Sequence, residues 1–302
     1  MSAPLAPGEA VAPGYEVIEH LRRGRNLDVY DVWSTERATR SVVKALRSDR
    51  LGREGPAGRL LQEGRLLRDL THPHIVRAYE VIEEPVPLVV METLAGETLG
   101  HMIEAREVEL STAELAQLGL HLASAIRYLH AHGWLHLDLK PSNVIAECGR
   151  AKLIDLSVAR PPGPAHGGIG TFYYMAPEQV RGGELGPAAD VWGIGTVLFE
   201  AATGEPAFDH PNADELDYGE SDEPWASDEP YESDDLPTGE RFDESDYPQL
   251  TVTARRIDEL RALPAELTDL VAACLEPEPE RRPPVGELMR ALEPLGGSDP
   301  PR

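Results

Sequence analysis

The chain has 302 residues, of which 53 are acidic and 28 basic, giving a formal net charge of −25. This length suits one catalytic unit with a substantial core, and the negative charge argues against nucleic-acid and anionic-membrane partners, which need a basic surface. The sequence has no apolar run of about 18 residues, so it predicts no membrane helix. The two cysteines, Cys148 and Cys274, lack metal-site spacing, and we expect reduced thiols in a cytoplasmic protein.

The first third of the chain predicts a short lead followed by an antiparallel sheet with one helix. Met1–Gly14 is rich in Ala and Pro, carries no secretory signal, and is expected to be disordered. Alternating patterns between polar turns predict strands, and leucines near helical spacing predict a helix. The expected strands span 15–21, 28–34 and 40–46, the helix spans 57–70, and two further strands lie within 81–91.

The rest of the chain predicts mainly helices. Ser111, followed three residues later by Glu114, has the pattern of a capping box and predicts a helix that reaches about His130. Further helices are expected over 190–203, 267–275 and 285–292.

An acidic, low-complexity insert interrupts this helical part. Residues 209–247 contain sixteen acidic residues and one basic residue, and serines recur there at multiples of six positions. Such a segment cannot bury a core, so we expect it to be disordered. It is either a solvated spacer or a docking segment for a basic protein partner, with Trp225 and Tyr231 as apolar anchors.

One short stretch carries groups suited to phosphoryl transfer. Residues 136–143 read HLDLKPSN, and Asp155 follows twelve positions after Asn143. Phosphoryl transfer needs a carboxylate that orients the hydroxyl, a cation for the phosphate, and oxygen ligands for magnesium. Asp138, Lys140, Asn143 and Asp155 supply these groups in that order.

This stretch resembles the catalytic loop and metal-binding motif of eukaryotic-like (Hanks-type) bacterial serine/threonine protein kinases. Six motifs that follow the order of that family are far more specific than any one of them alone. Besides the stretch itself, they are Val42–Lys44 with Glu63, His72–Val76, Gly170–Glu178, Asp190–Gly195 and Arg282–Pro283.

The resemblance implies an α+β, bilobal protein-kinase fold. A small lobe with an antiparallel sheet and one helix would precede a larger, mainly helical lobe. The implied boundaries are a lead over 1–14, a kinase domain over 15–295 and a tail over 296–302. Within the domain, the small lobe would span 15–91, the hinge 92–96 and the large lobe 97–295, which includes the insert over 209–247.

The resemblance also implies roles for individual residues. Asp138 and Lys140 would be catalytic, and Asn143 and Asp155 would bind Mg²⁺ or Mn²⁺. Lys44, paired with Glu63, would contact the phosphates of ATP. The other expected ATP-binding residues are Gly24, Val29, Val42, Met91, Glu92, Leu94 and Ile145.

The implied function is the transfer of the γ-phosphate of ATP to serine or threonine hydroxyls of protein substrates. Thr171 resembles the threonine that contacts the catalytic aspartate of such kinases, and Glu178 with Arg282 resembles a buried structural pair. Asp190 would anchor the backbone of the catalytic loop. These features argue against a small-molecule kinase.

Departures from the family pattern favour one alternative, a nucleotide-binding pseudokinase that acts as a scaffold through the acidic insert. The phosphate-covering loop at 21–29 keeps only Gly24 of three glycines, and its arginines at 22, 23 and 25 are candidates to compensate with charge. Val42 and Ser157 replace an alanine and a glycine that the family usually has there.

The activation segment lacks the features that phosphorylation would need. Leu137 stands where many kinases carry a phosphate-binding arginine, and residues 158–170 contain no serine, threonine or tyrosine. We therefore predict that activation-loop phosphorylation does not control this protein.

Overall fold

The computed structural model describes residues 3–52, 54–105, 109–208 and 247–297. The predicted acidic insert lies outside these residues, except for Tyr247. The chain folds into two compact units. The first unit comprises Met1–Ala95 with Asp155–Ser157, and the second comprises Gly96–Ile154 with Val158–Arg302.

A six-stranded antiparallel sheet with the order β1-β2-β3-β4-β6-β5 forms most of the first unit. Its helix, α1 (Glu54–Asp69), connects β4 and β5. The strands are β1 (Ala10–Ala12), β2 (Tyr15–Arg23), β3 (Leu27–Ser34), β4 (Thr39–Leu46), β5 (Ala78–Ile82) and β6 (Leu88–Glu92). The predicted strands and the predicted helix are therefore present, with ends shifted by a few residues.

The two faces of this sheet have different compositions because side chains alternate along each strand. One face forms a core cluster of Tyr15, Val17, Tyr30, Val32, Val43, Ala45, Leu88 and Val90. The other face carries residues that the sequence assigned to nucleotide binding. Val29 pairs with Lys44, and Val42 pairs with Met91, so these four side chains lie on the same face.

The prediction of a disordered lead is wrong for residues 3–14, which are described and ordered. The backbone N–H of Gly8 donates to the carbonyl of Val17 at 2.8 Å, and the N–H of Val17 donates to Glu9 at 2.8 Å. Leu5, Val11 and Ala12 pack against the core cluster. Burial of these apolar side chains stabilises the lead despite its Ala and Pro content.

The second unit is mainly helical and contains two small sheets. One sheet consists of β7 (Glu97–Thr98), β8 (Val144–Glu147) and β9 (Arg150–Leu153), and the other of β10 (Gly163–Ala165) and β11 (Gly183–Leu185). The helices are α2 (Leu99–Glu104), α3 (Thr112–Ala131), α4 (Pro177–Arg181), α5 (Pro187–Thr203), α6 (Pro248–Thr251), α7 (Ala265–Cys274) and α8 (Val285–Leu292). The helices predicted over 190–203, 267–275 and 285–292 correspond to α5, α7 and α8.

Helix α5 lies at the centre of the second unit. Most of its residues are buried, including the large side chains of Trp192 and Phe199. Helix α3 packs against both α5 and α8. A Cβ at Gly119 of α3 would lie 2.7 Å from a side-chain methyl of Leu292 of α8, so the glycine leaves room for this methyl between the two helices.

The capping box predicted at the start of α3 is confirmed. The Ser111 hydroxyl accepts a hydrogen bond from the N–H of Glu114 at 3.3 Å, and the Glu114 carboxylate accepts one from the N–H of Ser111 at 2.8 Å.

Among the residues that the structure describes, no helix has the length and apolar character that a membrane span requires.

Candidate functional site

The first unit brings together one ammonium group and two carboxylates. Lys44 of β4 donates to Glu63 of α1 at 2.7 Å and to Asp155 at 2.8 Å. The predicted ion pair between Lys44 and Glu63 is therefore present. Glu63 is only 1% exposed and Lys44 only 11%, so water screens these charges weakly.

Because one ammonium cannot neutralise two carboxylates, the two acids of this cluster titrate differently. Burial opposes ionisation of Asp155, but the charge of Lys44 and hydrogen bonds from Lys44 and Ser157 outweigh it, so the pKa of Asp155 lies below its ordinary value. Burial and the charge of Asp155 raise the pKa of Glu63 to about 7. Burial acts to lower the pKa of Lys44, yet the two carboxylates raise it. Lys44 and Asp155 therefore stay charged.

The other candidate nucleotide-binding residues of the first unit lie near the sheet or after it. Val29, Val42 and Met91 share a sheet face with Lys44, as described above. Glu92 ends β6, where its N–H donates to the carbonyl of Arg77 and its carboxylate accepts from the N–H of Arg77, both at 3.0 Å. Leu94 follows and is partly buried.

An arginine that the sequence analysis missed holds the predicted phosphate-covering loop between β2 and β3. The buried Arg47 donates to the carbonyls of Gly24 at 2.9 Å and Arg25 at 3.1 Å, and it also pairs with Asp49. The N–H of Gly24 donates to the carbonyl of Leu27 at 2.8 Å. These bonds give a fixed shape to a loop that lacks the glycines of the family pattern.

The charge of one loop arginine is already engaged within the loop. Arg23 makes two hydrogen bonds to Asp28, both at 2.8 Å, and His20 contacts the same carboxylate at 3.1 Å. This ion pair neutralises Arg23, so Arg23 is a weaker candidate for phosphate binding than the sequence suggested.

The second unit places Asp138 at the centre of a buried polar cluster. One oxygen of its carboxylate accepts from the N–H of Thr171 at 2.8 Å and from the Thr171 hydroxyl at 2.6 Å. The other oxygen accepts from the amide of Asn143 at 2.9 Å. Lys140 lies 3.6 Å from Asp138 and donates to the Thr171 hydroxyl at 2.7 Å. The structure thus brings Asp138, Lys140 and Asn143 together. The predicted contact of Thr171 with Asp138 is also present.

Asp190 fixes the backbone just before Asp138. Its carboxylate accepts from the N–H of His136 at 2.9 Å and of Leu137 at 2.7 Å, and His130 contacts it at 2.7 Å. Burial opposes ionisation of Asp190, but the hydrogen bonds and the charge of His130 lower its pKa. The predicted anchoring by Asp190 is therefore seen, and His136 lies fully buried with its ring nitrogen accepting from the N–H of Asp138 at 3.2 Å.

The predicted pair of Glu178 and Arg282 is also present. Two hydrogen bonds of 2.6 Å and 2.9 Å join the guanidinium to the carboxylate. The remaining candidate, Ile145, lies in β8, where it pairs with Thr98 and Lys152.

Two further residues that contact the activation segment were missed. Gln179 donates to the carbonyls of Leu137 and Ile169, and Gln249 donates to that of Phe172. A glutamine has no distinctive sequence signal, and both contacts depend on the tertiary fold.

Comparisons with known proteins identify the family to which the chain is similar. A family model described as "Protein kinase domain" matches residues 15–292. The chain is 32% identical over 214 residues to the probable serine/threonine-protein kinase PknB of Lactococcus lactis, covering 68% of this chain and 34% of the relative. It is 30% identical over 228 residues to the probable kinase PknB of Bifidobacterium longum, covering 69% of this chain and 33% of the relative.

A third relative is the DNA damage-responsive serine/threonine-protein kinase RqkA of Deinococcus radiodurans. The two are 31% identical over 215 residues, which cover 68% of this chain and 32% of the relative. The chain thus spans about a third of the length of these curated relatives.

Proposed function

Because the chain belongs to the protein kinase domain family, we propose that it transfers the γ-phosphate of ATP to serine and threonine hydroxyls of proteins. The observation that carries this proposal is the cluster around Asp138. Its carboxylate is fixed by Thr171 and Asn143, and Lys140 lies 3.6 Å away. A carboxylate with an adjacent ammonium can orient a hydroxyl and neutralise charge on a transferring phosphoryl group.

In the proposed reaction, the acceptor oxygen forms a bond to the γ-phosphorus while the bond from that phosphorus to the β,γ-bridging oxygen breaks. ADP leaves with the electron pair of that bond. Asp138 orients the acceptor hydroxyl and receives its proton, and Lys140 stabilises negative charge on the phosphoryl oxygens. Thr171 keeps the Asp138 carboxylate in one orientation through two hydrogen bonds.

The residues present fit ATP and a divalent cation. Mg²⁺ and Mn²⁺ prefer hard oxygen ligands, and the lowered pKa of Asp155 keeps its carboxylate ionised. The NH₂ group of Asn143 is bound to Asp138, which leaves its amide oxygen as the atom available to a cation. When bound, the metal neutralises phosphate charge. Lys44 would bind the phosphates, and Val29, Val42 and Met91 offer an apolar sheet face for the base.

We also propose that activation-segment phosphorylation does not switch this activity. The segment has no hydroxyl between residues 158 and 170, and the buried Leu137 cannot bind a phosphate.

For the acidic insert, the charge of −15 over residues 209–247 supports a proposal that it docks basic partners. Deletion of residues 214–246 tests this role, and unchanged partner recovery and substrate choice would exclude it.

The proposed activity is tested with γ-labelled ATP and either Mg²⁺ or Mn²⁺. The protein itself and a generic basic protein serve as acceptors for the wild type and for Asp138→Asn. A matched control is Asp258→Asn, which makes the same change at an exposed ion pair. We expect labelling by the wild type and the control, and its loss in Asp138→Asn.

Two results would contradict the proposal. Labelling that persists in Asp138→Asn would remove Asp138 from the chemistry. No labelling by the wild type, together with a melting temperature that ATP still raises, would indicate a nucleotide-binding scaffold.

A further inference from the structure

Two buried glutamines bind the main chain of the activation segment. Among the described residues, Gln179 and Gln249 are the buried glutamines, with exposed fractions of 2% and 3%. Burial of a primary amide is unfavourable unless its hydrogen bonds are made. Gln179 makes hydrogen bonds through both its NH₂ group and its amide oxygen, and Gln249 makes one through its NH₂ group; all of them go to backbone groups of the activation segment or of the catalytic loop.

Gln179 of α4 joins the catalytic loop to the activation segment. Its NH₂ group donates to the carbonyl of Leu137 at 2.7 Å and to the carbonyl of Ile169 at 2.8 Å. Its amide oxygen accepts from the N–H of Ala176 at 3.0 Å. One side chain therefore links the residue that precedes Asp138 to the start of the Gly170–Thr171 turn.

The Leu137 peptide needs such a partner because its backbone is strained. Leu137 has φ of 65°, in the left-handed region that non-glycine residues rarely adopt. Its N–H donates to Asp190 at 2.7 Å, and its carbonyl accepts from Gln179 at 2.7 Å. Hydrogen bonds on both sides of this residue hold the unusual conformation directly before Asp138.

Gly170 fills the space between these groups with backbone alone. Its φ is 120°, and a Cβ there would lie 2.7 Å from the carbonyl oxygen of Leu137 and 3.1 Å from the amide nitrogen of Gln179. The activation segment therefore approaches the catalytic loop as closely as backbone groups allow.

Gln249 of α6 binds the segment on the other side of Thr171. Its NH₂ group donates to the carbonyl of Phe172 at 2.6 Å. The ring of Tyr247 also packs on the ring of Phe172, with centroids 4.4 Å apart. Ile169 and Phe172, the two residues held by glutamine amides, thus enclose Gly170 and Thr171.

We propose that Gln179 and Gln249 are positioning residues that keep Thr171 against Asp138 without any phosphate on the activation segment. We name the two side-chain amides and the carbonyls of Leu137, Ile169 and Phe172 the glutamine clamp. The glutamine clamp rests on the proposed function, because its role is to keep Thr171 in contact with the Asp138 carboxylate that orients the acceptor hydroxyl. In this proposal, neutral amides of fixed position take the role that a phosphate-binding arginine at the position of Leu137 has in many kinases.

The test compares wild type with Gln179→Glu and Gln249→Glu, which keep the side-chain shape but remove the NH₂ donors. A carboxylate oxygen then faces backbone carbonyl oxygens, which it repels. The matched control is Gln117→Glu, since Gln117 of α3 donates its amide to the carbonyl of Gly296 at 3.2 Å, away from the segment. Gln179→Met adds an uncharged variant of similar size.

Two measurements are made on the wild-type chain of 302 residues and on each variant of it. The first is hydrogen exchange of the amides in residues 167–175, which we expect to be faster in both clamp variants and unchanged in the control. The second is the steady-state rate, for which we expect kcat to fall about tenfold or more while KM for ATP changes less than about twofold. Wild type treated with a phosphatase is expected to keep its full kcat.

Unchanged exchange in residues 167–175 of the variants overturns the clamp, as does loss of activity in phosphatase-treated wild type. If Gln179→Glu does not fold, Gln179→Met and Gln249→Glu give the exchange result. Hydrogen exchange needs no turnover, so it decides the clamp even if the wild type transfers no phosphate, and that outcome would count against the proposed function alone.

Discussion

Replacement of Arg282 by methionine should cost a large part of the stability of the second unit. The side chain of Arg282 is fully buried, and each of its five N–H groups donates a hydrogen bond. Two go to Glu178 at 2.6 Å and 2.9 Å, and the others go to the carbonyls of Glu276, Pro277 and Ala188. Methionine preserves much of the volume and removes every donor.

The expected loss follows from the groups that remain behind. The Glu178 carboxylate, which is 13% exposed, loses the guanidinium that pairs with it, and three carbonyls lose their hydrogen-bond donor. Loss of one member of a buried ion pair typically costs about 3–5 kcal/mol, and we expect Arg282→Met to fall in that range. Arg282→Lys keeps the charge but offers three donors for five bonds, so it should cost about 2 kcal/mol at roughly 1 kcal/mol per lost bond.

Urea titration followed by far-ultraviolet circular dichroism measures these losses. Arg290→Met is the matched control, because Arg290 pairs with Glu287 at an exposed site and should leave the midpoint unchanged. In a double-mutant cycle, Glu178→Gln and Arg282→Met should be strongly non-additive. A free energy of unfolding for Arg282→Met within about 1 kcal/mol of wild type would refute this reasoning.

Three further predictions concern a thiol, a carboxylate and the loop brace. Burial raises the pKa of Cys274 to about 12, so a thiol reagent at pH 8 should label the exposed Cys148 and reach Cys274 only after unfolding; labelling of both thiols in folded protein would contradict this. Burial, together with the charge of Glu104, raises the pKa of Glu200 to about 7. The folded protein therefore binds a proton at Glu200 more tightly than the unfolded chain does. The contribution of Glu200 to the free energy of unfolding falls as pH rises from about 4.5 to 7. Glu200→Gln should therefore gain melting temperature relative to wild type between pH 5 and pH 8, and parallel pH profiles would exclude this effect. Arg47→Met should raise KM for ATP about tenfold by freeing the phosphate-covering loop, and an unchanged KM would show that the brace has no role in binding.

Several elements of the structure follow from local chemistry that the sequence displays. The capping box at Ser111 and Glu114 involves residues three positions apart, so its geometry is set by the first turn of α3. The contact of Lys44 with Glu63 spans nineteen positions, but the resemblance to a family supplied it in advance. Charged groups with specific chemistry are therefore the most predictable part of the site.

Contacts made by ordinary residues across long sequence separations were not predictable. Gln249 and Phe172 are 77 positions apart, and Arg47 meets Gly24 across 23 positions. In each case a side chain donates to a backbone carbonyl, a group that every residue has, so no pattern identifies the partner. The ordered structure of residues 3–14 was not predicted for a related reason. Despite the Ala- and Pro-rich composition of this segment, a few of its apolar side chains pack against the sheet, and this packing stabilises it.

The short strand β1 covers the first residues of the edge strand β2 in the first unit. It pairs with β2 through Ala10 and Ala12, and it lies at one end of the strand order. Without residues 3–14, Tyr15, Glu16 and Val17 would lose their partners in that segment, and the open edge of the nine-residue β2, which exposes Ile18 and Leu21, would extend to its first residue. Such edges recruit strands from neighbouring chains. A truncated chain that starts at Tyr15, where the family match begins, should therefore self-associate more readily than the longer chain.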